Sequence, residues 1–135
     1  MTLVDTNILI DIVSDNPNWS LWSRERLNER SASGPLLINE VVYAELSLGF
    51  ATEEELDKAI LELSVSLERS PKSALFLAGQ AFEQYRRTGG ARTGVLPDLF
   101  IGAHAQVARL PILTRDVRRY RTYFPAVKLI SPPLS

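Results

Sequence analysis

Short apolar runs alternate with longer amphipathic segments along this chain. The runs lie at residues 3–4, 36–38, 112–114 and 127–130. After each of the first three, apolar residues recur every three or four positions, as they do on one face of an α-helix. Strands that alternate with helices in this way predict an α/β fold built around a mostly parallel sheet.

Capping and turn residues predict where the helices begin and end. Asn16-Pro17 is a typical helix start, Asn39 is placed to cap a helix that ends at Gly49, and Thr52 with Glu55 matches a capping box. The apolar spacing after Thr52 continues as far as Leu67. The helices predicted from such signals span 16–34, 39–49, 52–67, 70–89, 97–108 and 117–123, and the clearest loop spans 89–94.

Composition indicates one globular domain and excludes several kinds of chemistry. The chain has 135 residues, of which 45% are hydrophobic and 23% charged, so we expect a single domain over residues 1–135. It has no cysteine, which excludes disulfide scaffolds and thiol chemistry. Its one histidine, His104, excludes a His-rich metal cluster and argues against a Ser-His triad.

The chain shows no sign of export or membrane insertion. The start Met1-Thr2-Leu3-Val4-Asp5 has neither a basic region nor an apolar region of the signal-peptide type. No segment approaches the roughly 18 consecutive apolar residues of a membrane helix. We therefore expect a cytoplasmic protein.

Charge is distributed unevenly although the net charge is only −1. Residues 1–85 carry 14 acidic and 6 basic side chains, whereas residues 86–135 carry 2 acidic and 9 basic ones. This asymmetry is typical of a protein with one face suited to a polyanion. The alternative is that the basic half pairs with the acidic half, and charge alone does not decide between them.

Four acidic residues occupy positions where α/β proteins bind ligands. Asp5 and Asp116 follow apolar runs, so both are expected at the carboxyl edge of the sheet. Asp98 opens a helix, and Glu45 interrupts an otherwise apolar helix face. Each also has a structural explanation: Asp5 as a helix cap, Asp98 as a first-turn acid, Asp116 as the start of a short helix, and Glu45 as the partner of an arginine.

Together these acids predict an all-oxygen metal site. Carboxylates without cysteine and with a single histidine suit hard cations, so Mg²⁺ or Mn²⁺ is the expected cofactor. Two such ions can activate water and stabilise a leaving oxygen in phosphodiester cleavage. Arginines of the basic half would then contact phosphate groups, and each is otherwise a solvated surface charge. The candidates for RNA contact are Arg86, Arg87, Arg92 and Arg115.

Four motifs in this order resemble those of PIN-domain ribonucleases, in particular the VapC-type toxins of bacterial toxin–antitoxin pairs. They are Val4-Asp5-Thr6-Asn7, Val42-Tyr43-Ala44-Glu45-Leu46, Leu96-Pro97-Asp98-Leu99-Phe100-Ile101-Gly102-Ala103-His104-Ala105 and Leu113-Thr114-Arg115-Asp116. No single motif is specific, but the four in order are. The resemblance covers essentially the whole chain.

The resemblance implies a fold, an activity and partners. The fold is a three-layer α/β/α arrangement with a short, mostly parallel central sheet. The activity is metal-dependent cleavage of RNA, often tRNA or rRNA, and the partners are a cognate antitoxin and a second copy in a homodimer or hetero-oligomer. The residues that carry over as metal-binding acids are Asp5, Glu45, Asp98 and Asp116. Supporting side chains carry over at Thr6, Asn7 and Thr114.

The chain departs from the family pattern before Glu45. Relatives often have Asn-Pro or Ser there, but this chain has Asn39-Glu40, so Glu40 is a second candidate acid. Residues five apart on a helix lie about 140° apart, so Glu40 and Glu45 cannot share a face. The resemblance favours Glu45, and Asn39 is expected to reach the pocket as a hydrogen-bonding residue.

Other residues have a functional and a structural interpretation. His104 lies six residues after Asp98, about 240° around the helix, so we expect a packing role and not a general base. Trp19, Trp22 and Tyr85 could stack on bases, but their helical spacing favours core or interface packing.

Two other functions compete with the nuclease. A phosphatase with Asp5 as nucleophile characteristically needs a second aspartate two residues later, where this chain has Asn7. A catalytically silent RNA- or protein-binding module would not require four acids to be intact. Both alternatives are therefore weaker than the metal-dependent nuclease.

Overall fold

The computed structural model describes residues 1–92 and 94–133, and within them lie five strands and seven helices. The strands are β1 (Thr2–Val4), β2 (Leu36–Ile38), β3 (Val65–Leu67), β4 (Ile112–Leu113) and β5 (Leu129–Ile130). The helices are α1 (Thr6–Val13), α2 (Ser20–Ser33), α3 (Glu40–Ser47), α4 (Glu53–Glu62), α5 (Lys72–Arg87), α6 (Leu96–Ala108) and α7 (Arg118–Tyr123).

The strands form one sheet in the order β3-β2-β1-β4-β5, and every neighbouring pair is parallel. Leu3 in the central strand lies opposite Leu37 on one side and Ile112 on the other. All residues of β1 and β2 are buried, so helices cover both faces of the sheet. The predicted α/β architecture is confirmed, with the sheet parallel throughout.

The direction of winding reverses beside the central strand. The chain runs from β1 outward to β3 and then crosses back to β4 on the other side of β1. In open α/β sheets such a reversal leaves a crevice at the carboxyl ends of the two strands concerned. The residues after Val4 and Leu113 therefore begin the part of the molecule where a site is expected.

The buried hydrophobic residues form one cluster, and α5 packs along α6. On its other side α6 is closely approached by the buried ring of Phe124. A Cβ atom at Gly102 would lie 2.2 Å from that ring, so the helix has a glycine where the two meet. This contact fixes α6, which carries Asp98, against the end of α7.

The predicted helix 52–67 is wrong beyond residue 62. Helix α4 ends at Glu62, Ser64 adopts a left-handed conformation with φ of 60°, and Val65–Leu67 pairs with β2 as strand β3. The apolar spacing across Leu63 and Leu67 fits a helix as well as an edge strand. Pairing with β2, which local periodicity does not report, decides the outcome.

The start of α2 also differs from the prediction. The Oδ1 atom of Asn16 accepts hydrogen bonds from the backbone N–H groups of Asn18 at 2.9 Å and Trp19 at 3.0 Å. These bonds form a turn, and the helix begins only at Ser20. The remaining helix ends agree with their signals, and Thr93 of the predicted loop 89–94 lies outside the described residues.

No helix in the described part of the chain has the length and apolar character needed to cross a membrane.

We expect Gly102→Ala to destabilise the protein by about 1–3 kcal/mol, because the added methyl group overpacks the contact with Phe124. Gly79→Ala is the matched control, since Gly79 lies in α5 with no atom within 4 Å of an added Cβ. That substitution should stabilise the protein by about 0.5–1 kcal/mol through helix propensity. Urea denaturation of both variants measures the difference, and equal effects of the two substitutions would contradict the proposed contact.

Candidate active site

The candidate site lies at the carboxyl edge of the sheet, between β1 and β4. Val4 pairs with Leu113, so Asp5 and Thr114, which follow them, are neighbours across the sheet edge. Asp5 is 4% exposed, and its Oδ1 atom accepts the backbone N–H of Thr6 at 2.7 Å. The carboxylate thus caps α1, as its structural interpretation predicted, and also faces β4.

The second oxygen of Asp5 is held by three donors. Its Oδ2 atom accepts the hydroxyl groups of Thr114 at 2.7 Å and Tyr120 at 2.8 Å, and the amide of Asn7 at 3.4 Å. A carboxylate oxygen has two lone pairs, so these bonds use the acceptor capacity of Oδ2. Oδ1 has one donor, Thr6, and retains acceptor capacity.

Tyr120 is a site residue that the sequence analysis did not identify. It is 1% exposed, and its only polar side-chain group, the hydroxyl, donates to Asp5. A buried tyrosine usually has a hydrogen-bond partner for its hydroxyl, and Tyr120 lies one helical turn after Asp116. That spacing after an acidic residue was the available signal.

Glu45 joins the site through α1. The hydroxyl of Thr6 donates to its Oε1 atom at 2.6 Å, which links the start of α1 to α3. None of the ion pairs within residues 1–92 and 94–133 involves Glu45. The predicted alternative, an arginine partner for Glu45, is therefore wrong.

Asp98 lies in the first turn of α6 and has the most perturbed carboxyl group of the site. Burial raises the pKa of Asp98 to about 7, with further increases from the negative charges of Asp5, Asp116 and Glu45, while Arg119 lowers it. A charge affects a pKa in this way only over a short distance. The four predicted acids are therefore electrostatic neighbours.

The other three acids differ in their surroundings. Burial raises the pKa of Asp5 and of Glu45, and the hydrogen bonds they accept oppose the increase without cancelling it. Burial also acts on Asp116, but hydrogen bonds and the positive charge of Arg118 outweigh it, so its pKa is lowered. Asp116 is thus the acid that is most readily ionised at this edge.

The acids line an open edge and do not form a closed cage. Within the described ranges, no three acidic or histidine side chains lie close enough together to hold one ion jointly. A cavity of about 430 Å³ lies elsewhere: it is lined by residues around Arg109 and Lys128 and contains none of the four acids. The site is therefore a shallow surface with converging negative charge.

The structure corrects the role predicted for Asn39. Its Oδ1 atom caps α3 by accepting the N–H groups of Val41 and Val42, each at 3.1 Å. Its amide nitrogen lies 3.3 Å from Nδ1 of His104. These contacts use the side chain within the interior, so Asn39 does not reach the acids.

His104 and Glu40 also lie outside the site. His104 is 1% exposed and packs in the interior, which confirms the prediction of a packing histidine. Glu40 accepts the backbone N–H of Ser70 at 2.9 Å and its hydroxyl at 2.8 Å. Of the two candidate glutamates, Glu45 is the one that a hydrogen bond connects to the start of α1, directly after Asp5.

The predicted RNA-contacting arginines have varied surroundings. Arg87 pairs with Glu83 at 2.6 Å on the exposed face of α5, and the guanidinium of Arg86 lies 5.9 Å from the ring of Phe82. Arg92 donates its backbone N–H to the hydroxyl of Tyr85. None of these contacts engages Asp5, Glu45, Asp98 or Asp116.

Two arginines that the sequence analysis did not select lie closer to the acids. Arg118 donates to the carboxylate of Asp116 at 3.3 Å, and Arg119 lowers the pKa of both Asp98 and Asp116. Both follow Asp116 almost directly in the sequence, and that adjacency was the signal. Arg115, which the sequence analysis did select, instead forms an ion pair with buried Asp11.

The aromatic residues pack mainly against one another. Trp19 and Trp22 meet edge to face with centroids 5.9 Å apart, and Tyr85 lies between Phe82 and Tyr123. Trp22 and Tyr85 also pack against the hydrophobic cluster. These contacts agree with the packing interpretation of these aromatic residues.

The fold and the sequence identify the family. The sequence model of the PIN domain matches residues 2–125, so the chain belongs to the PIN-domain family. No curated protein sequence matches the chain.

Solved structures resemble the chain over nearly its full length. VapBC2 from Rickettsia felis, bound to a DNA fragment from its promoter, contains a chain with a TM-score of 0.72 at 17% identity, over 96% of this chain and 97% of that chain. VapBC-1 from nontypeable Haemophilus influenzae gives 0.71 at 20% identity, over 96% of each chain. DNA-bound VapBC from Salmonella typhimurium gives 0.71 at 21% identity, again over 96% of each. At these identities the likeness establishes the fold.

We expect Asp98→Asn to stabilise the metal-free protein at pH 8 but not at pH 4. The pKa of Asp98 is about 7 in the folded protein and near 4 when unfolded, so the folded state binds its proton more tightly. The Asp98 carboxyl therefore makes its full contribution to the free energy of unfolding below about pH 4, and this contribution is lost as the pH rises through 7. Asparagine avoids that loss, for which about three pKa units set an upper bound of about 4 kcal/mol. Solvent screening of this partly exposed group reduces the loss to on the order of 2 kcal/mol.

Thermal melts in EDTA at pH 4, 6 and 8 measure the effect. Asp15→Asn is the control, because it removes an exposed acid from the turn after α1 and tolerates the positive φ of that position. A destabilised Asp98→Asn variant at pH 8 would show that the acids do not repel one another.

Proposed function

We propose that this protein is a divalent-metal-dependent endoribonuclease that acts in the cytoplasm as the toxin of a toxin–antitoxin pair. The observation that carries the proposal is that hydrogen bonds connect Asp5, Glu45 and Asp116 at one sheet edge through Thr6 and Thr114, with Asp98 in the first turn of α6 within electrostatic range of all three. Nothing in the fold requires four acids to converge there. A site that binds cations does require it.

The residues fit a hard divalent cation by their chemistry. All donors are carboxylate oxygens, Asp5 retains acceptor capacity at Oδ1, and a cation would offset the repulsion that raises the pKa of Asp98. Mg²⁺ is commonly held by one or two carboxylates and keeps several waters, so it does not require three protein ligands that already converge. The residues that would hold Mg²⁺ or Mn²⁺ are Asp5, Glu45, Asp98 and Asp116.

The metal would supply an activated water and stabilise the leaving oxygen of the phosphodiester. The chain itself orients the acids. Thr114, Tyr120 and Asn7 fix the Oδ2 side of Asp5, and Thr6 fixes Glu45. Preorientation of this kind lowers the cost of assembling ligands around an ion.

The substrate side of the proposal depends on positive charge beside the acids. Arg118 and Arg119 flank the carboxylates. Arg119 and Arg92 both contact Tyr85, near the end of α5 that carries Arg86 and Arg87. A basic surface of this kind attracts the phosphate groups of RNA. The type of RNA, with tRNA and rRNA as the first candidates, depends on surface shape and single-stranded loops.

The partner proposal comes from the related structures, which are VapBC complexes. By analogy, we infer that this chain pairs with a cognate antitoxin and forms a homodimer or a toxin–antitoxin hetero-oligomer. A second candidate function is a catalytically silent binding module of the same fold. It is favoured by the absence of a ready three-acid cluster among the described residues.

Cleavage of total cellular RNA separates these functions. With Mg²⁺ or Mn²⁺, the purified protein free of antitoxin should yield discrete fragments, and EDTA should prevent them. We expect Asp5→Asn and Glu45→Gln to lose roughly 100-fold or more in rate, because each removes a proposed ligand.

Glu40→Gln is the matched control, since glutamine can still accept the hydrogen bonds from Ser70. It should retain activity within about twofold, as substitutions away from a site do. Full cleavage by Asp5→Asn would disprove the assigned site. No cleavage by the folded wild type with either metal would favour the binding module.

Metal binding should also be visible without RNA. We expect Mn²⁺ to raise the melting temperature, and to raise it more at pH 8 than at pH 6, because Asp98 must lose its proton when a cation binds. Calorimetry in two buffers measures the released proton. The Asp98→Asn variant should show a smaller dependence on pH, and a wild type that shifts with neither ion would contradict the metal site.

A further inference from the structure

An ion pair between Arg115, whose side chain is 27% exposed, and buried Asp11 lies one residue before the proposed ligand Asp116. Asp11 of α1 is 1% exposed, and both of its carboxylate oxygens are used. Arg115 donates its Nε to Oδ2 at 2.6 Å and its Nη2 to Oδ1 at 2.8 Å, and the hydroxyl of Ser23 donates to Oδ2 at 2.8 Å. A carboxylate buried this deeply is tolerated only when its charge and lone pairs are satisfied, and Arg115 does most of this.

Two further contacts hold Arg115, one at its backbone N–H and one on the plane of its guanidinium group. Its N–H donates to Oδ1 of Asn7 at 3.2 Å, and Asn7 and Asp11 lie one turn apart on the same side of α1. The ring of Trp19 lies 4.9 Å from the guanidinium and covers it. Three residues of the segment 7–19 therefore fix one residue of the loop between β4 and α7.

The next residue in that loop is the proposed ligand Asp116. Its backbone N–H donates to the hydroxyl of Thr114 at 3.1 Å. In the described part of the chain its carboxylate accepts hydrogen bonds only from Arg118: from the backbone N–H at 3.3 Å and from a side chain that is 81% exposed. An exposed pair of this kind orients a carboxylate weakly. The position of Asp116 therefore depends on Thr114 and Arg115, which are both held by other parts of the chain.

We propose that Arg115 is a positioning residue, which fixes Asp116 at the sheet edge through its bidentate bond to Asp11 and does not contact RNA. The inference rests on the proposed function, in which Asp116 is a metal ligand. The bidentate geometry requires arginine, because a lysine ammonium cannot span both oxygens of Asp11.

Removing Arg115 changes the affinity for a cation in opposite directions, depending on whether Arg115 acts by positioning Asp116 or by its own charge. Arg115 is a cation near an acidic site, so by charge alone its removal should strengthen cation binding. Positioning predicts the reverse, because Asp116 would no longer be held in place. Loss of an orienting residue of this kind typically costs a metal site about 10- to 100-fold in affinity.

The experiment is calorimetric titration of Mn²⁺ into the full chain. We expect Arg115→Ala and Asp116→Asn each to weaken binding about tenfold or more, and the double variant to bind no more weakly than Asp116→Asn alone. Arg121→Ala removes an exposed charge of α7, and should stay within about twofold. Non-additivity shows that Arg115 acts through Asp116.

Two further measurements make every outcome decisive. Circular dichroism checks folding, and if Arg115→Ala does not fold, Arg115→Lys replaces it, because it keeps the charge beside Asp11 and loses only the bidentate geometry. Binding of single-stranded RNA in EDTA tests the competing role: weaker RNA binding with unchanged Mn²⁺ affinity would make Arg115 an RNA contact and overturn the inference.

Unchanged or tighter Mn²⁺ binding by the folded variants, or additive losses in the double variant, would also overturn it. A wild type that binds no Mn²⁺ is a different failure. It removes the metal site of the proposed function, and the role of Arg115 with it.

Discussion

The site depends on one buried carboxylate. Asp5 follows the central strand, where burial would penalise its charge heavily if its oxygens were unpaired. Its donors come from three parts of the chain: the backbone of Thr6 in α1, the hydroxyl of Thr114 after β4, and the hydroxyl of Tyr120 in α7. Satisfying this one group therefore ties together the elements that surround the sheet edge. The geometry of the edge therefore follows from the need for protein groups to supply the hydrogen bonds of the Asp5 carboxylate.

The same edge carries an electrostatic cost that the fold does not remove. Burial raises the pKa of Asp98 to about 7, and the negative charges of Asp5, Asp116 and Glu45 add to the increase, while Arg119 opposes it. Hydrogen bonds lower the cost for Asp5, but Asp98 has neither a full set of donors nor full exposure to water. Sites that store unfavourable interactions are usually functional, because a ligand can relieve them. In the proposed function, the ligand that would relieve them is a cation.

The sequence predicts what local signals determine. The caps Asn39 and Thr52 and the strand ends at Asp5 are read from adjacent residues, and the structure has them as expected. Strand β3 was mistaken for the end of a helix because its identity comes from pairing with β2. The roles of Tyr120 and Arg115 could not be derived either, since their partners lie more than 100 residues away in sequence. Local sequence signals do not predict the hydrogen-bond partners of polar side chains that lie far apart in the sequence.

In the segment Thr114-Arg115-Asp116, the first two residues hold the backbone and the third presents its carboxylate at the sheet edge. The Thr114 hydroxyl has one proton, which goes to Asp5, so it can only accept from the N–H of Asp116. The partly exposed side chain of Arg115 turns to α1, where it neutralises buried Asp11. Its side chain thus anchors the backbone on one side while Thr114 anchors it on the other. A residue between Thr114 and Asp116 would otherwise be a simple spacer, but in the proposed role its ion pair with Asp11 gives the exposed carboxylate of Asp116 a defined place.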